Sequence, residues 1–143
     1  MRNLSKYYQE DKEAQKIGFH LFDVMPASFI FDEKMEDLEE FKKCFDDHKN
    51  TRMHQKQCEK NIWLAKPSQG SAGTGIQVLS DYDKIIELVS QPLAKGQNWV
   101  VQKYVEKPIL YNNRKFDIRV WVLCTNQNDV YIFDTFYTRN CAS

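Results

Sequence analysis

Much of what this 143-residue sequence excludes follows from what it has little of. Lys plus Arg and Asp plus Glu each number 20, so the formal net charge is zero. No surplus of either sign argues for a nucleic acid or an anionic membrane as partner. No run approaches the ~20 apolar residues that a membrane span needs, and the opening "MRNLSKYYQEDKEAQK" lacks the apolar core of a secretion signal. The four cysteines, Cys44, Cys58, Cys124 and Cys141, form no CxxC pair and read as free thiols in a reducing compartment. Internal repeats and low-complexity tracts are missing too. The expectation is a soluble, cytosolic protein.

With 42% hydrophobic and 13% aromatic residues, the chain can build a core, and its length fits one domain or a piece of a larger one. Two parts differ in character. Residues 1–60 are charged and helix-prone, interrupted by the apolar island "VMPASFIF", where Pro26 biases Met25 toward extended geometry. From Glu33 to Lys49, Met35, Leu38, Phe41, Cys44 and Phe45 recur at three-to-four spacing and predict an amphipathic helix. The stretch "KNTRMHQKQCEKN" has no period and reads as a loop or frayed helix.

Residues 61–143 read as strand and turn. "NIWLAKP" is a strand stopped by Pro67, "SQGSAGTG" is a flexible loop, and "IQVLS" is a second strand. "SDYDKIIELVSQ" predicts a helix to about Gln91, with Ser80 as cap and Asp83 three residues on. "NWVVQKYVEKP" is a third strand ended by Pro108. "RKFDIRVWVLCT", a polar "NQND" turn and "VYIFDTFYTR" together predict an antiparallel hairpin. The class is α+β, helices packed on a largely antiparallel sheet.

Three features carry chemistry. The loop holds three of the five glycines, Gly70, Gly73 and Gly75, with Ser68, Ser71 and Thr74 between them. Such a backbone can turn its N–H groups on an anion without interference from Cβ atoms. No Lys follows the last Gly, and a strand rather than a helix comes next, so neither common nucleotide fingerprint fits. A cation, Lys66, instead precedes the loop. A flexible hairpin connection explains the loop alone equally well. In "WVVQKYVEKP", alternation puts Lys103 on one face with Trp99, Val101 and Val105. A buried ammonium either snorkels to water or meets an anion. In "RKFDIRVWVL", Lys115, Asp117 and Arg119 share a face at about 6.6 Å intervals. That row suits a phosphate chain and a ribose, or else forms an ion-pair ladder on a solvated face. Trp121 and Leu123 continue the same face, which a wholly solvated row would rarely do.

Arg139 stands alone at the end of the last strand, where a surface position is the default. His20, His48 and His54 lie in the charged first part. His54 and Cys58 are four apart, but two ligands do not make a metal site, so none is assigned. No Ser-His-Asp or Cys-His arrangement assembles near the glycine loop, which argues against a covalent hydrolase.

Taken in order, "WLAKPSQGSAGTGI", "WVVQKYVEKPIL" and "RKFDIRVWVL", with a following strand that ends in "TR", resemble the tubulin tyrosine ligase and tubulin tyrosine ligase-like enzymes. Those enzymes have the ATP-grasp fold. "QKY" followed by "KFDIR" at this spacing is the specific part, and "MPASF" matches a segment ahead of the core. The resemblance covers about residues 61–143. It implies a partial ATP-grasp with a nucleotide-binding region at 61–143 behind a helical, charged segment at 1–60.

By this resemblance Lys66 contacts ATP phosphates, and the loop from Ser71 through Gly73 and Gly75 to Ile76 closes over them. Lys103 reaches the adenine or the α-phosphate, and the backbone of Gln102, Lys103, Tyr104 and Val105 forms the adenine hinge. Lys115 and Asp117 hold ribose or the substrate side. Arg119 and Arg139 stabilise the γ-phosphate, the acyl phosphate and substrate carboxylates. The implied reaction activates a tubulin carboxylate as an acyl phosphate that the amine of glutamate, glycine or tyrosine attacks, with ATP and Mg²⁺ as cofactors. Tubulin or microtubules and the free amino acid are then the partners, in the cytoplasm at the cytoskeleton, cilium or basal body.

Two departures bear on this reading. Ala72 and Thr74 stand where many glutamylase and glycylase members have basic loop residues. The family's Mg²⁺-binding acidic and Asn residues come in a later segment, so the expectation is a partial ligase, inactive alone. A non-catalytic nucleotide- or tubulin-binding module is the alternative, and an ATP-grasp ligase for another substrate class the third reading.

Overall fold

The computed structural model describes residues 10–18, 25–50, 60–69, 73–91 and 97–141. They belong to two compact units, Met1–Glu106 and Lys107–Ser143. In chain order the first unit holds α1 (Lys12–Lys16), β1 (Ser28–Phe31), α2 (Leu38–Asn50), β2 (Trp63–Pro67), β3 (Gln77–Leu79), α3 (Tyr82–Val89) and β4 (Trp99–Lys103). Its strands form one sheet in the order β1-β4-β2-β3, and every neighbouring pair is antiparallel. Strand β1 comes from before residue 60 and pairs with β4 from after it, so the sheet draws on both segments of the sequence.

Register explains the core. One rung aligns Phe29, Val101 and Ala65, and the next aligns Phe31, Trp99 and Pro67. Side chains in a rung share a face. With Trp63 these residues, except the half-buried Pro67, bury against Phe41 and Phe45 of α2 and Ile85, Leu88 and Val89 of α3. Phe41 sits at the centre, with ring centroids 5.1 Å from Trp63, 5.4 Å from Phe29 and 5.5 Å from Phe31. The intervening rungs, Ser28–Gln102–Leu64–Val78 and Ile30–Val100–Lys66, point to the opposite face.

The island "VMPASFIF" therefore contains a strand, β1, that its lack of alternation concealed. The helix expected from Glu33 begins only at Leu38. The cause is local: Met35 takes a positive φ of 52°, and the Asp37 carboxylate accepts the Ile30 N–H at 2.7 Å. Lys103 N donates to Ala27 O, which sets the alternation of the β1–β4 ladder and turns Ile30 N outward. Asp37 thus occupies part of an edge that would otherwise be open for pairing. In α3 the cap is Asp81 rather than Ser80; its carboxylate accepts the Lys84 N–H at 3.0 Å, and the helix ends at Val89.

The second unit holds β5 (Leu110–Tyr111), β6 (Arg114–Arg119), β7 (Val122–Cys124), β8 (Val130–Ile132) and β9 (Tyr137–Asn140). The expected hairpin is present but interrupted: β7 pairs β8, and β6 pairs β9. Between these ladders one arm has residues 120–121 and the other 133–136, so the second arm carries two extra residues and the strands must bend. Thr125 Oγ accepts from the N–H groups of Gln127 and Asp129 and shapes the "NQND" turn. A further hairpin, β5–β6, closes at Asn112–Asn113, whose φ values of 49° and 59° suit a type I′ turn.

The fold is α+β with mostly antiparallel strands, compatible with a partial ATP-grasp domain. Among the described residues, no helix is long and apolar enough to cross a membrane.

Candidate functional site

The sheet face opposite α2 and α3 carries the first group of candidate residues. Lys66 lies near the end of β2 and donates from Nζ to Gln102 Oε1 at 2.6 Å. Gln102 Nε2 donates to Ser28 Oγ at 2.8 Å, and Ser28 Oγ donates to the Pro26 carbonyl at 2.9 Å. Leu64, Ile30 and Val100 surround this polar line with half-buried apolar surface. A cation beside apolar surface on one sheet face suits a ligand with an anionic end and a flat apolar end.

After Pro67, the last residue of β2, the backbone leaves the sheet for the glycine loop. Ser71, with Gly70 and Ala72, lies outside the described residues. Gly73 and Gly75 both have φ of +79°, and Ile76 N bonds back to Gly73 O at 3.3 Å. At Gly75 a Cβ would stand 3.1 Å from Pro67 Cγ, so both conformation and space favour glycine. Loop and strand end are tied at the other side, where Ser68 N donates to Asn98 O and Asn98 N to Ser68 Oγ.

Lys103 lies on the helix-covered face, not beside Lys66. Of the two fates open to a buried ammonium, it meets an anion, and that anion belongs to the chain. Its Nζ donates to Glu106 Oε1 at 2.8 Å and to the Ile62 carbonyl at 2.9 Å, and sits 5.6 Å from the Trp63 ring centre. Glu106 also accepts the N–H groups of Lys60 at 2.7 Å and Ile62 at 2.8 Å. Both side chains of the pair are 6% exposed. Burial pushes the Glu106 carboxyl up, but the hydrogen bonds from Ile62, Lys103 and Lys60 outweigh it, and its pKa falls below the ordinary value. This pair staples the start of β2 to the segment after β4. Tyr104 N donates to Ile62 O at 3.0 Å and reinforces the tie; Val105 follows, half exposed.

In the second unit Asp117 and Arg139 are register partners on β6 and β9. The guanidinium binds the carboxylate through two bonds, Nε to Oδ1 and Nη2 to Oδ2, each 2.7 Å. Arg139 is therefore not a lone surface cation. Its hydrogen bond holds the Asp117 carboxyl below the usual range, and Asp117 raises the Arg139 guanidinium in return. Arg119 lies opposite Tyr137 with its guanidinium 5.9 Å from the Trp121 ring centre, and the Lys115 carbonyl accepts the Cys141 N–H.

One Cys–His contact does occur, away from the glycine loop: Cys44 Sγ is 3.5 Å from His48 Nδ1. It is not a nucleophile pair. His48 Nδ1 is also 2.8 Å from the Cys44 carbonyl, to which it must donate, and burial pushes the thiol up to about 11, with Asp47 and Glu40 adding to it. Among the described residues, no group of three or more His, Cys, Asp or Glu side chains gathers to hold a metal.

Ser28 and Glu106 are the residues that sequence reasoning missed. Ser28 sat in a segment with no visible period. Glu106 stood three residues after Lys103 in "KYVE", and that spacing was the available signal.

Across residues 1–143 the chain matches the sequence model of the Tubulin-tyrosine ligase family. It is 41% identical over 75 residues to tubulin glycylase 3C of Tetrahymena thermophila, covering 52% of this chain and 7% of that protein. It is 41% identical over 83 residues to tubulin monoglycylase TTLL3 of Danio rerio (57% and 10%), and 42% over 76 residues to protein monoglycylase TTLL8 of Homo sapiens (52% and 9%). The matched stretches span a tenth or less of these relatives. The chain belongs to the tubulin-tyrosine ligase family.

Proposed function

We propose that this chain carries the nucleotide-binding part of an ATP-dependent ligase that joins an amino acid, glycine before glutamate or tyrosine, to tubulin. The observation that carries this reading is the placement of Lys66: on the sheet face opposite the helices, beside apolar side chains, immediately before a loop whose Gly73 and Gly75 both need positive φ. The glycylase names of the relatives favour glycine.

In this reading Lys66 and the backbone from Ser71 to Ile76 hold the phosphates, and the segment Gln102–Val105 forms the adenine hinge. Lys103 takes part through that backbone, because its ammonium is committed to Glu106 and Ile62. Lys115 and Asp117 hold ribose or the substrate side. Arg119 and Arg139 serve the γ-phosphate and carboxylates, and Asp117 keeps the Arg139 fork oriented until an incoming oxyanion competes for it. ATP supplies the phosphoryl group that activates a tubulin carboxylate as an acyl phosphate, and the amino-acid amine displaces phosphate from it. Fixed cations favour that transfer because charge builds on the phosphoryl oxygens. Among the described residues, no three His, Cys, Asp or Glu side chains gather as a set of Mg²⁺ ligands. The setting that goes with this function is the cytoplasm at microtubules, cilium or basal body.

Calorimetric titration of ATP into the chain tests the reading. Saturable binding is expected, weakened at least tenfold in Lys66→Ala; a wild-type chain that binds no ATP overturns it. A chimera addresses the amino acid. With its matched 83-residue stretch replaced by the corresponding stretch of this chain, the zebrafish monoglycylase should still incorporate labelled glycine into tubulin.

A further inference from the structure

The line of hydrogen bonds on the sheet face has a direction that chemistry forces. Its first member, the Lys66 ammonium, can only donate. Its last, the Pro26 carbonyl, can only accept. Between them, the Ser28 hydroxyl spends its single proton on Pro26 O at 2.9 Å, so its oxygen is left to accept. That acceptor calls for the NH₂ end of the Gln102 amide, which stands 2.8 Å away. With the amide so turned, its carbonyl oxygen faces Lys66 at 2.6 Å. Were the amide reversed, NH₂ would face NH₃⁺, and the Ser28 oxygen would lose its donor. The three links join β1, β4 and β2, and Ser28 itself is 9% exposed.

We infer that Ser28 is a positioning residue for Lys66: through Gln102 it fixes the place of the ammonium on the sheet face before any ligand arrives. No motif in the sequence marks this role, because Ser28 and Lys66 are 38 positions apart and are linked through Gln102. The consequence for phosphate binding rests on the nucleotide reading above; the holding of Lys66 does not. A lysine already held in place loses little further freedom when an anion binds, which favours affinity.

Timed acetylation of the chain with acetic anhydride, read site by site by mass spectrometry, tests the two layers separately. Lys34, with a side chain 78% exposed, serves as internal reference. In the wild type Lys66 is expected to label more slowly than Lys34. Ser28→Ala should raise the Lys66 rate about fivefold, the factor that one net hydrogen bond represents. Ser28→Thr, which keeps the hydroxyl, should restore the wild-type rate. Circular dichroism of each variant establishes that the fold persists. Unchanged Lys66 labelling in a folded Ser28→Ala variant overturns the inference, and so does failure of the threonine variant to rescue. Addition of ATP to the wild type bears only on the nucleotide reading: protection of Lys66 supports it, and its absence counts against that reading while leaving the hydrogen-bond line standing. Should Ser28→Ala fail to fold, Gln102→Leu, which removes the same link from the Lys66 side, replaces it with the same expected acceleration.

Discussion

The two units use apolar residues in opposite ways. In Met1–Glu106 they are gathered: Phe29, Phe31, Phe41, Trp63, Ile85 and Val101 are each 2% exposed or less. In Lys107–Ser143 they are spread: Ile109, Leu123, Tyr131, Ile132 and Phe133 are all more than half exposed. The difference lies in layers, not in composition. The first sheet has helices on one face, so its alternating strands sort into a dry face and a wetter one. Ribbons of two or three strands with no helix of their own cannot do this. A core substitution should therefore be costly in one unit and nearly silent in the other. Phe41→Ala removes a ring that touches five other aromatic rings and should cost about 3–5 kcal/mol in urea unfolding. Ile132→Ala, at a side chain 69% exposed, should stay within about 0.5 kcal/mol. Equal costs would erase the contrast.

Charge pairs follow the same division. Lys103–Glu106 is enclosed, whereas Asp117–Arg139 is half exposed. Glu106→Ala leaves the Lys103 ammonium buried without an anion, beside the Ile62 carbonyl and the Trp63 ring, and should cost about 3 kcal/mol. The pH dependence has a definite sign. The Glu106 carboxyl titrates below its ordinary 4.5 in the folded chain, so its contribution is complete above pH 4.5 and disappears as pH falls through the lowered value. Glu106→Gln, uncharged throughout, should flatten the fall of stability in that acid window. A variant curve parallel to the wild type below pH 4.5 would show that the pair contributes nothing there.

A smaller effect belongs to α3. Asp81→Ala removes the carboxylate that caps the helix at Lys84 N and should cost about 1 kcal/mol. Ser80→Ala, at the position that the sequence pattern favoured, should cost less than half as much. A reversal would mean that Ser80 caps the helix in solution.

That pair of residues shows what the sequence discloses and what it hides. Strands β2, β3 and β4 could be read because Pro67, the glycine loop and alternation around Trp63 and Trp99 are local signals. Asp81 was missed by one place because Ser80 and Asp81 are both good caps, and the winner depends on where the backbone enters the helix. The start of α2 was missed by five places for a reason outside the helix: Asp37 bonds to Ile30 on a strand seven residues earlier. The candidate site divides the same way. Lys66 and the glycines stand together in sequence and were legible. The partners of Lys66 and Asp117 come from across a ladder, at Gln102 and Arg139, and only pairing register reveals them, as it does the Ile62 carbonyl that Lys103 binds besides its near neighbour Glu106. Period two put Lys115, Asp117 and Arg119 on one face, yet said nothing of the guanidinium that reaches Asp117 from β9.

The smallest expected effect is at that last pair, and it separates geometry from stability. Both bonds between Arg139 and Asp117 are 2.7 Å, against 2.8 Å for the one bond of the enclosed pair, so distance alone would rank the two together. Water decides otherwise: ions that stay hydrated on both sides gain little from meeting, and salt screens what remains. Asp117→Asn should therefore leave the melting temperature of the chain unchanged within experimental error, at low salt and at 1 M salt alike. What it should change is orientation. The Arg139 Nε proton, engaged with Oδ1 in the wild type, should exchange with water faster in the variant, visible as loss of its ¹H–¹⁵N signal. A clear drop in melting temperature would place this pair with the enclosed one and remove the distinction between the units. An unchanged Nε signal would show instead that Asp117 does not orient the fork, and the proposed competition between Asp117 and an incoming oxyanion would have nothing to act on.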